Sequence, residues 1–321
     1  MSMIGFIGGS GIYEALPLNN VREVEFDTPY GEPSDAITIG EFADTGKSVA
    51  FLPRHGSNHG VSPTDLPYRA NMYALKQAGV THIFASNAVG SLKAELPPGT
   101  LVVPDQIYDR TKRRDLSFYG DGVVVHQPFA DPYSPELVDH LADAAEAAVG
   151  GTVDSADTAD SAGNTDSAGT IDTADTADSA DTPDATDVVK GGTYVCIEGP
   201  QYSTRAESEF YKAQGWDLVG MTAIPEAKLA REAEIAYATI AGVTDYDVWK
   251  EDSEVTLEEV LENAEQNQTA IKAAVEEAVR TLPEDLECDA HTALEGTINT
   301  PTDAIPAETR ERVEPLLGEY L

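Results

Sequence analysis

Cysteine and lysine are scarce in this chain, and long apolar runs are missing. The two cysteines in 321 residues, Cys196 and Cys288, exclude a disulfide framework and show no metal-ligand spacing. Cys196 lies in an apolar run and reads as a small core residue. Nine lysines contribute to 20 basic residues, against 57 acidic ones, for a net charge of −37. So acidic a chain is not expected to bind nucleic acid or anionic lipid over a general surface. No stretch of about 18 apolar residues is present to cross a bilayer. The opening strand is too short, and lacks the basic flank, for a secretory leader. A soluble, cytoplasmic protein is expected.

The acidity is not confined to one tract. Residues 152–187 hold ten Asp and no other charged residue, so −27 remains elsewhere. A surface of that charge repels itself in dilute buffer and is better tolerated in strong salt, as in a halophile that keeps salt inside the cell. The tract itself repeats Asp-Ser/Thr-Ala units every three to four residues, without aromatics. It cannot bury enough surface to offset chain entropy and is expected to be a disordered insertion in a single domain spanning 1–321.

Apolar runs alternate with helical patterns along the rest of the chain, which predicts an α/β fold with a largely parallel sheet. Met3-Ile4-Gly5-Phe6-Ile7 leads into Gly8-Gly9-Ser10-Gly11, a strand feeding a tight loop. This loop lacks the G-x-G-x-x-G spacing, has no following Lys for a P-loop, and has Ile12 where a nucleophile elbow needs Gly. Ser48 to Leu52 predicts a strand ending in Pro53-Arg54-His55-Gly56, with His59 close behind. Thr64 to Gly79 predicts a helix, and Thr81 to Ala85 a strand ending in Ser86-Asn87-Ala88-Val89-Gly90-Ser91. Arg110, Lys112, Arg113 and Arg114 fall in a predicted loop, either as a subunit contact or as local charge balance. Strands at Thr193–Ile197, Asp217–Gly220 and Ala236–Gly242 end near Tyr202, Met221-Thr222 and Asp245-Tyr246-Asp247. Thr256 is expected to cap a long amphipathic helix reaching about Leu282, with Leu257, Val260, Leu261, Ile271, Val275 and Val279 on its apolar side.

Ligands of such folds gather at strand ends, and the residues there divide by chemistry. Ser10, Arg54, His55, Asn87 and Thr222, with the Ala88 amide, can hold a phosphate. Asp245 and Asp247 can accept from an amino group and share a proton with a ring nitrogen. Taken alone, these two carboxylates also fit an acidic loop in an acidic chain. Met221 and Tyr202 offer soft and aromatic surfaces to a sugar and a base. A phosphate beside a nucleoside whose base meets a carboxylate suggests phosphorolysis.

The segments Gly8-Gly9-Ser10-Gly11-Ile12, Arg54-His55-Gly56, Asn71-Met72-Tyr73-Ala74-Leu75-Lys76, Asn87-Ala88-Val89-Gly90-Ser91-Leu92, Ile197-Glu198-Gly199-Pro200, Arg205-Ala206-Glu207-Ser208, Met221-Thr222 and Thr244-Asp245-Tyr246-Asp247 occur in one order over residues 3–282. In this they resemble the trimeric purine nucleoside phosphorylase family. The resemblance implies a single-domain mixed, barrel-like sheet flanked by helices, assembled as a homotrimer. It implies phosphate contacts at Ser10, Arg54, His55, Asn87, Ala88 and Thr222, with Met221 facing the ribose. Ser203 and Asp245, supported by Asp247, would read the purine, with Tyr202 packed on it. His126 would reach the 5′ end of a nucleoside in the neighbouring subunit. Phosphate is then a co-substrate, and neither a metal nor an organic cofactor is expected. The implied substrate is S-methyl-5′-thioadenosine. The alternatives are inosine, guanosine or methylthioinosine and, from another class, a binder without catalysis. Ser10 and Asn87 stand where Thr is common in the family.

Overall fold

The computed structural model describes residues 3–9, 16–149, 186–250 and 255–321. The expected disordered tract at 152–187 lies outside the described residues except for its last two, and Ser10 also lies outside them. Eleven strands form one mixed sheet, and the longest, β5 (Val80–Ser91), organises it. Along its first half β5 pairs in parallel with β1 (Met3–Gly8), which continues through β4 (Ser48–Pro53) to the antiparallel β3 (Ile37–Phe42) and β2 (Leu18–Val24). Its far end pairs antiparallel with β10 (Leu218–Gly220), which leads to β9 (Thr193–Ile197) and β7 (Gln106–Arg110). A third arm starts with β11 (Ala236–Asp245), parallel to β5 from His82 to Gly90, and passes to β6 (Leu101–Val103) and β8 (Val188–Lys190). The main apolar cluster fills the space between this mixed sheet and its flanking helices, and two smaller ones lie beside it. No described helix is long and apolar enough to cross a membrane.

The branching corrects one expectation. The strand does not give out after Ala85: Ser86 to Ser91 continue β5, with β11 alongside Ser86 to Gly90 and β10 alongside Gly90 and Ser91. On the other edge the ladder is interrupted. β1 stops at Ala85 and β10 begins at Gly90, so Ser86 to Val89 face an opening in the sheet. Three further differences are local. Arg110 ends strand β7, which pairs with β9. Regular structure is present before Thr193: the Asp187 carbonyl accepts from Leu101 N and β8 pairs with β6. The first described helix, α1 (Tyr68–Gln77), starts four residues after Thr64, because Pro67 keeps the residue before it out of helical backbone.

Five more helices follow: α2 (Pro135–Val149), α3 (Arg205–Ala213), α4 (Ala223–Glu232), α5 (Leu257–Thr281) and α6 (Ala307–Leu317). The Thr204 hydroxyl accepts from Glu207 N while the Glu207 carboxylate accepts from Thr204 N, a reciprocal cap for α3. Thr256 caps α5 by accepting from Glu259 N at 3.2 Å. The apolar side of α5 divides in two. Ile271, Val275 and Val279 are buried against the sheet and α2, whereas Leu257 and Leu261 are 64% and 59% exposed. The two leucines are therefore not core residues, as their spacing had implied.

Candidate active site

A cavity of about 640 Å³ opens where β5 lacks a partner, within the usual range of small-molecule sites. Every candidate residue inside the described region lines it except His126. Gly9 marks where the chain enters the segment containing Ser10. At Gly8 a Cβ would lie 2.7 Å from Ser86 Oγ, so only glycine lets β1 and β5 approach here.

One end of the cavity is built on Arg54, directly after β4. Its guanidinium, 3% exposed, donates from Nε to Glu226 Oε1 at 2.5 Å and from Nη2 to Oε2 at 3.0 Å. Nη1 donates to the Ser86 carbonyl at 2.7 Å, inside the gap of the ladder. Tyr237 OH donates to the same Glu226 carboxylate at 2.8 Å. Burial works against the Arg54 cation, but the adjoining Glu226 charge outweighs it and raises the pKa. Sequence reasoning missed Glu226, whose only sign was an acidic residue directly after Ile224-Pro225 in a helix start.

His55 Nδ1 lies 2.8 Å from the Val61 carbonyl. A carbonyl only accepts, so Nδ1 carries the hydrogen and Nε2 the lone pair when the ring is neutral. Burial lowers the His55 pKa and so favours the neutral ring, while the Val61 contact opposes it. Asn87 is held at both ends, donating to Thr222 Oγ1 and accepting from Thr239 Oγ1. The Thr222 hydroxyl, accepting from Asn87, keeps its own hydrogen to donate. Ala88 is the one exposed residue of β5, so nothing bulky covers the backbone in front of the gap.

At the other end, β11 bulges between Val243 and Asp245, re-aiming its last side chain. Carbonyls at this irregular end are taken by α5. Asn267 Nδ2 donates to Val243 O at 2.9 Å and Asn263 Nδ2 to Thr244 O at 2.6 Å. Asp245, 5% exposed, is fixed by two donors: Thr244 Oγ1 on Oδ2 at 2.8 Å and Asp247 N on Oδ1 at 2.7 Å. A Cβ at Gly90 would stand 2.8 Å from Asp245 Oδ1, which explains the glycine in Asn87-Ala88-Val89-Gly90. Burial raises the Asp247 carboxyl pKa, and so does the neighbouring Asp245 charge, while the Ser208 and Ser203 hydroxyls pull it back. Asp247 Oδ2 and Ser203 Oγ are buried without a regular hydrogen bond. Tyr202 stands at the mouth, 39% exposed, near enough for the Asp245 charge to raise its hydroxyl pKa beyond the effect of burial.

Met221 links the two ends. A Cβ at Gly199 would meet its sulfur at 2.6 Å, and its carbonyl accepts from Arg114 Nη1 at 2.6 Å. Arg114 is buried and also donates to the carbonyls of Ile197, Glu198 and Ile224 and to Glu198 Oε1. Within the basic run, Arg114 is therefore neither a surface contact nor loose charge balance; it ties the end of β9 to the start of α4. Burial acts against the Glu198 charge. The backbone N–H groups of Lys112 and Arg113, the Arg114 guanidinium and Thr64 prevail and hold the carboxyl at about 2. The remaining wall is one face of α5, where Val260, Leu261, Ala264 and Ile271 alternate with Glu265 and Gln268. His126 is exposed and outside the cavity of its own chain, its N–H donating to Thr297 O at 3.0 Å.

Known proteins share this fold. The family model of the phosphorylase superfamily matches residues 3–280. An S-methyl-5′-thioadenosine phosphorylase of Chloroflexus aurantiacus is 45% identical over 319 residues, covering 99% of this chain and 98% of the relative. A crystal structure of a methylthioadenosine phosphorylase from an antarctic soil metagenomic library superposes with a TM-score of 0.83 at 43% identity, covering 98% of this chain and 99% of that one. The methylthioadenosine phosphorylase of Schistosoma mansoni, solved with adenine, gives a TM-score of 0.72 at 36% identity, covering 87% and 91%. On a match that takes in the sheet, the cavity and most of α5, the chain belongs to the phosphorylase superfamily.

Proposed function

We propose that this enzyme cleaves S-methyl-5′-thioadenosine with phosphate, giving adenine and 5-methylthioribose 1-phosphate. The observation that carries the reading is the division of one cavity into a cationic, hydroxyl-rich end, a fixed carboxylate end and an apolar helix wall. A phosphate oxygen forms a bond to C1′ while the C1′–N9 bond breaks, its electron pair passing into the purine. Arg54, Thr222, the Ala88 amide and Ser10 hold the phosphate, and Asn87 orients Thr222. Neutral His55 offers Nε2 to a phosphate O–H. Asp245, supported by Asp247 and Ser203, accepts from the 6-amino group and holds the proton delivered to N7. Tyr202 packs on the base and Met221 faces the ribose. Asp245 repels a 6-oxo group, which disfavours inosine and guanosine.

The methylthio group rests on Val260, Leu261 and Ala264. Glu265 and Gln268 on the same face favour a second reading, in which the 5′-hydroxyl of adenosine is also accepted. His126 completes the 5′ end of a neighbouring copy in a homotrimer. Phosphate is the co-substrate, and the reaction calls for neither an organic cofactor nor a catalytic metal. The single domain is interrupted by the Asp-rich tract, and a charge of −37 supports work in a salt-rich cytoplasm.

The test is phosphate-dependent base release from methylthioadenosine, adenosine and inosine, in roughly molar potassium chloride to screen the surface charge. Methylthioadenosine is expected to be preferred. A preference for inosine refutes the role of Asp245, and no phosphorolysis of any substrate refutes the enzyme. Retention of trimer and activity without salt removes the halophilic reading.

A further inference from the structure

Far from the cavity, the chain leaving α5 turns back over the start of β5. Cys288 precedes the 3₁₀ turn Asp289–Thr292, and His291 within that turn comes against His82 of β5. One ligand atom from each of the three lies within 4.8 Å of the other two. The imidazoles meet edge to face with centroids 4.8 Å apart. His82 and Cys288 are buried and His291 is half-buried. His82 stands five residues, about 17 Å of strand, before Asn87.

The backbone sets both tautomers. Nε2 of His82 lies 3.1 Å from the Leu286 carbonyl, and Nε2 of His291 lies 3.1 Å from the Thr81 carbonyl. Both Nε2 atoms therefore carry hydrogen, and the lone pair of each neutral ring sits on Nδ1. His82 Nδ1 faces only the rotatable Thr81 hydroxyl at 2.9 Å, and His291 Nδ1 faces Cys288 N at a long 3.3 Å. Metal-binding imidazoles are oriented in this way, one nitrogen anchored on a carbonyl and the other left for the ion. Two imidazoles and a sulfur, with no carboxylate among them, suit zinc and not magnesium or calcium. Burial first, and then the charges of Glu136 and Asp289, push the Cys288 thiol up to about 12, so an ion must displace its proton to bind.

We infer that His82, Cys288 and His291 bind one zinc ion, with water as fourth ligand, and that the ion fastens the segment after α5 to the start of β5. Bonds of about 2.0–2.3 Å require the three side chains to close by roughly an ångström, the Thr81 hydroxyl turning aside. On binding, the Cys288 S–H bond breaks, a Zn–S bond forms and the proton leaves to solvent. Sequence spacing did not reveal the set because Cys288 and His291 supply only half of a motif, and the third ligand lies more than two hundred residues earlier.

The experiment is metal analysis of the untagged full chain purified without chelator, then titration of the chelator-stripped protein with zinc and with cobalt(II). The expected results are one zinc per chain, a cobalt–thiolate charge-transfer band, and a melting temperature that falls on stripping and recovers on reloading. Cys288→Ser and His291→Ala should lose the band, while phosphorolysis at saturating substrate persists in stripped wild-type protein. Stripping and reloading keep the test independent of whether the variants fold. Wild-type protein that retains no zinc and gives no cobalt–thiolate band overturns the inference. Equal metal content in wild type and both variants also overturns it.

Discussion

Replacing Glu226 with Gln tests whether the Arg54 end of the cavity is an anion site held ready by a buried carboxylate. Three donors converge on Glu226: Arg54 Nε, Arg54 Nη2 and Tyr237 OH. Glutamine keeps the size but turns one acceptor into a donor that faces Arg54 Nη2 and Tyr237. It also leaves the guanidinium as an uncompensated buried charge. Breaking such a pair costs about 3–5 kcal/mol. With an unfolding entropy of about 2.1 cal/mol/K per residue over the roughly 270 described residues, the melting temperature should fall by about 5–9 °C. Phosphate should then restore more in the variant than in wild type. At about 6 Å and an effective dielectric constant of 20, the lost carboxylate had opposed each phosphate charge by about 3 kcal/mol. Phosphate should therefore bind at least about tenfold tighter, adding about 1.4 kcal/mol, or roughly 2 °C, to the ligand-induced rise. Turnover should drop, because Arg54 loses the anchors that aim it. Scanning calorimetry with and without phosphate, alongside phosphorolysis kinetics, measures all three. An unchanged melting temperature, with equal phosphate shifts in variant and wild type, would refute the reasoning.

Asp245→Asn should lower kcat/KM for methylthioadenosine by about 10²–10⁴ while improving inosine relative to it; a uniform loss on both substrates would deny Asp245 its part in base choice. Leu261→Asp should raise KM for methylthioadenosine by about 10–200-fold with little change in melting temperature, the residue being 59% exposed; unchanged kinetics would move the methylthio group off α5. Burial lifts the Glu232 carboxyl to about 7 against the pull of Ser117 and Phe118 N–H. The folded form therefore holds the proton more tightly than the unfolded one. Stability from this group is greatest below about pH 4.5 and declines by about 3 kcal/mol as pH rises through 7. Glu232→Gln should gain on wild type between pH 5 and pH 8 in thermal melts, and parallel pH profiles would count against this.

Much of the site was legible because its residues follow apolar runs: Arg54 after β4, Met221 after β10 and Asp245 at the end of β11. What escaped was set by distant partners. Nothing local distinguishes Arg114 from Lys112 and Arg113, since its acceptors arrive from β9 and α4. Glu226 has the same history, acquiring meaning only when Arg54 packs against it. β2 was invisible because its middle residues are exposed, so LNNVREV carries no apolar alternation. The periodicity of α5 was read correctly as helix. Periodicity cannot tell whether an apolar side chain faces protein or an open cavity, and Leu257 and Leu261 fall on that ambiguity.

The break in pairing along β5 has an evolutionary consequence. The Arg54 end is framed by the path of the main chain: a strand that loses its neighbour at Ser86, and a Gly8 whose Cβ would crowd Ser86 Oγ. The Asp245 end depends on a few side chains on a bulge and a helix face. Single substitutions on that bulge or helix face can therefore retune which nucleoside is accepted without moving the strands that frame the Arg54 end. Substrate preference should drift among descendants of this scaffold more readily than the frame of the Arg54 end.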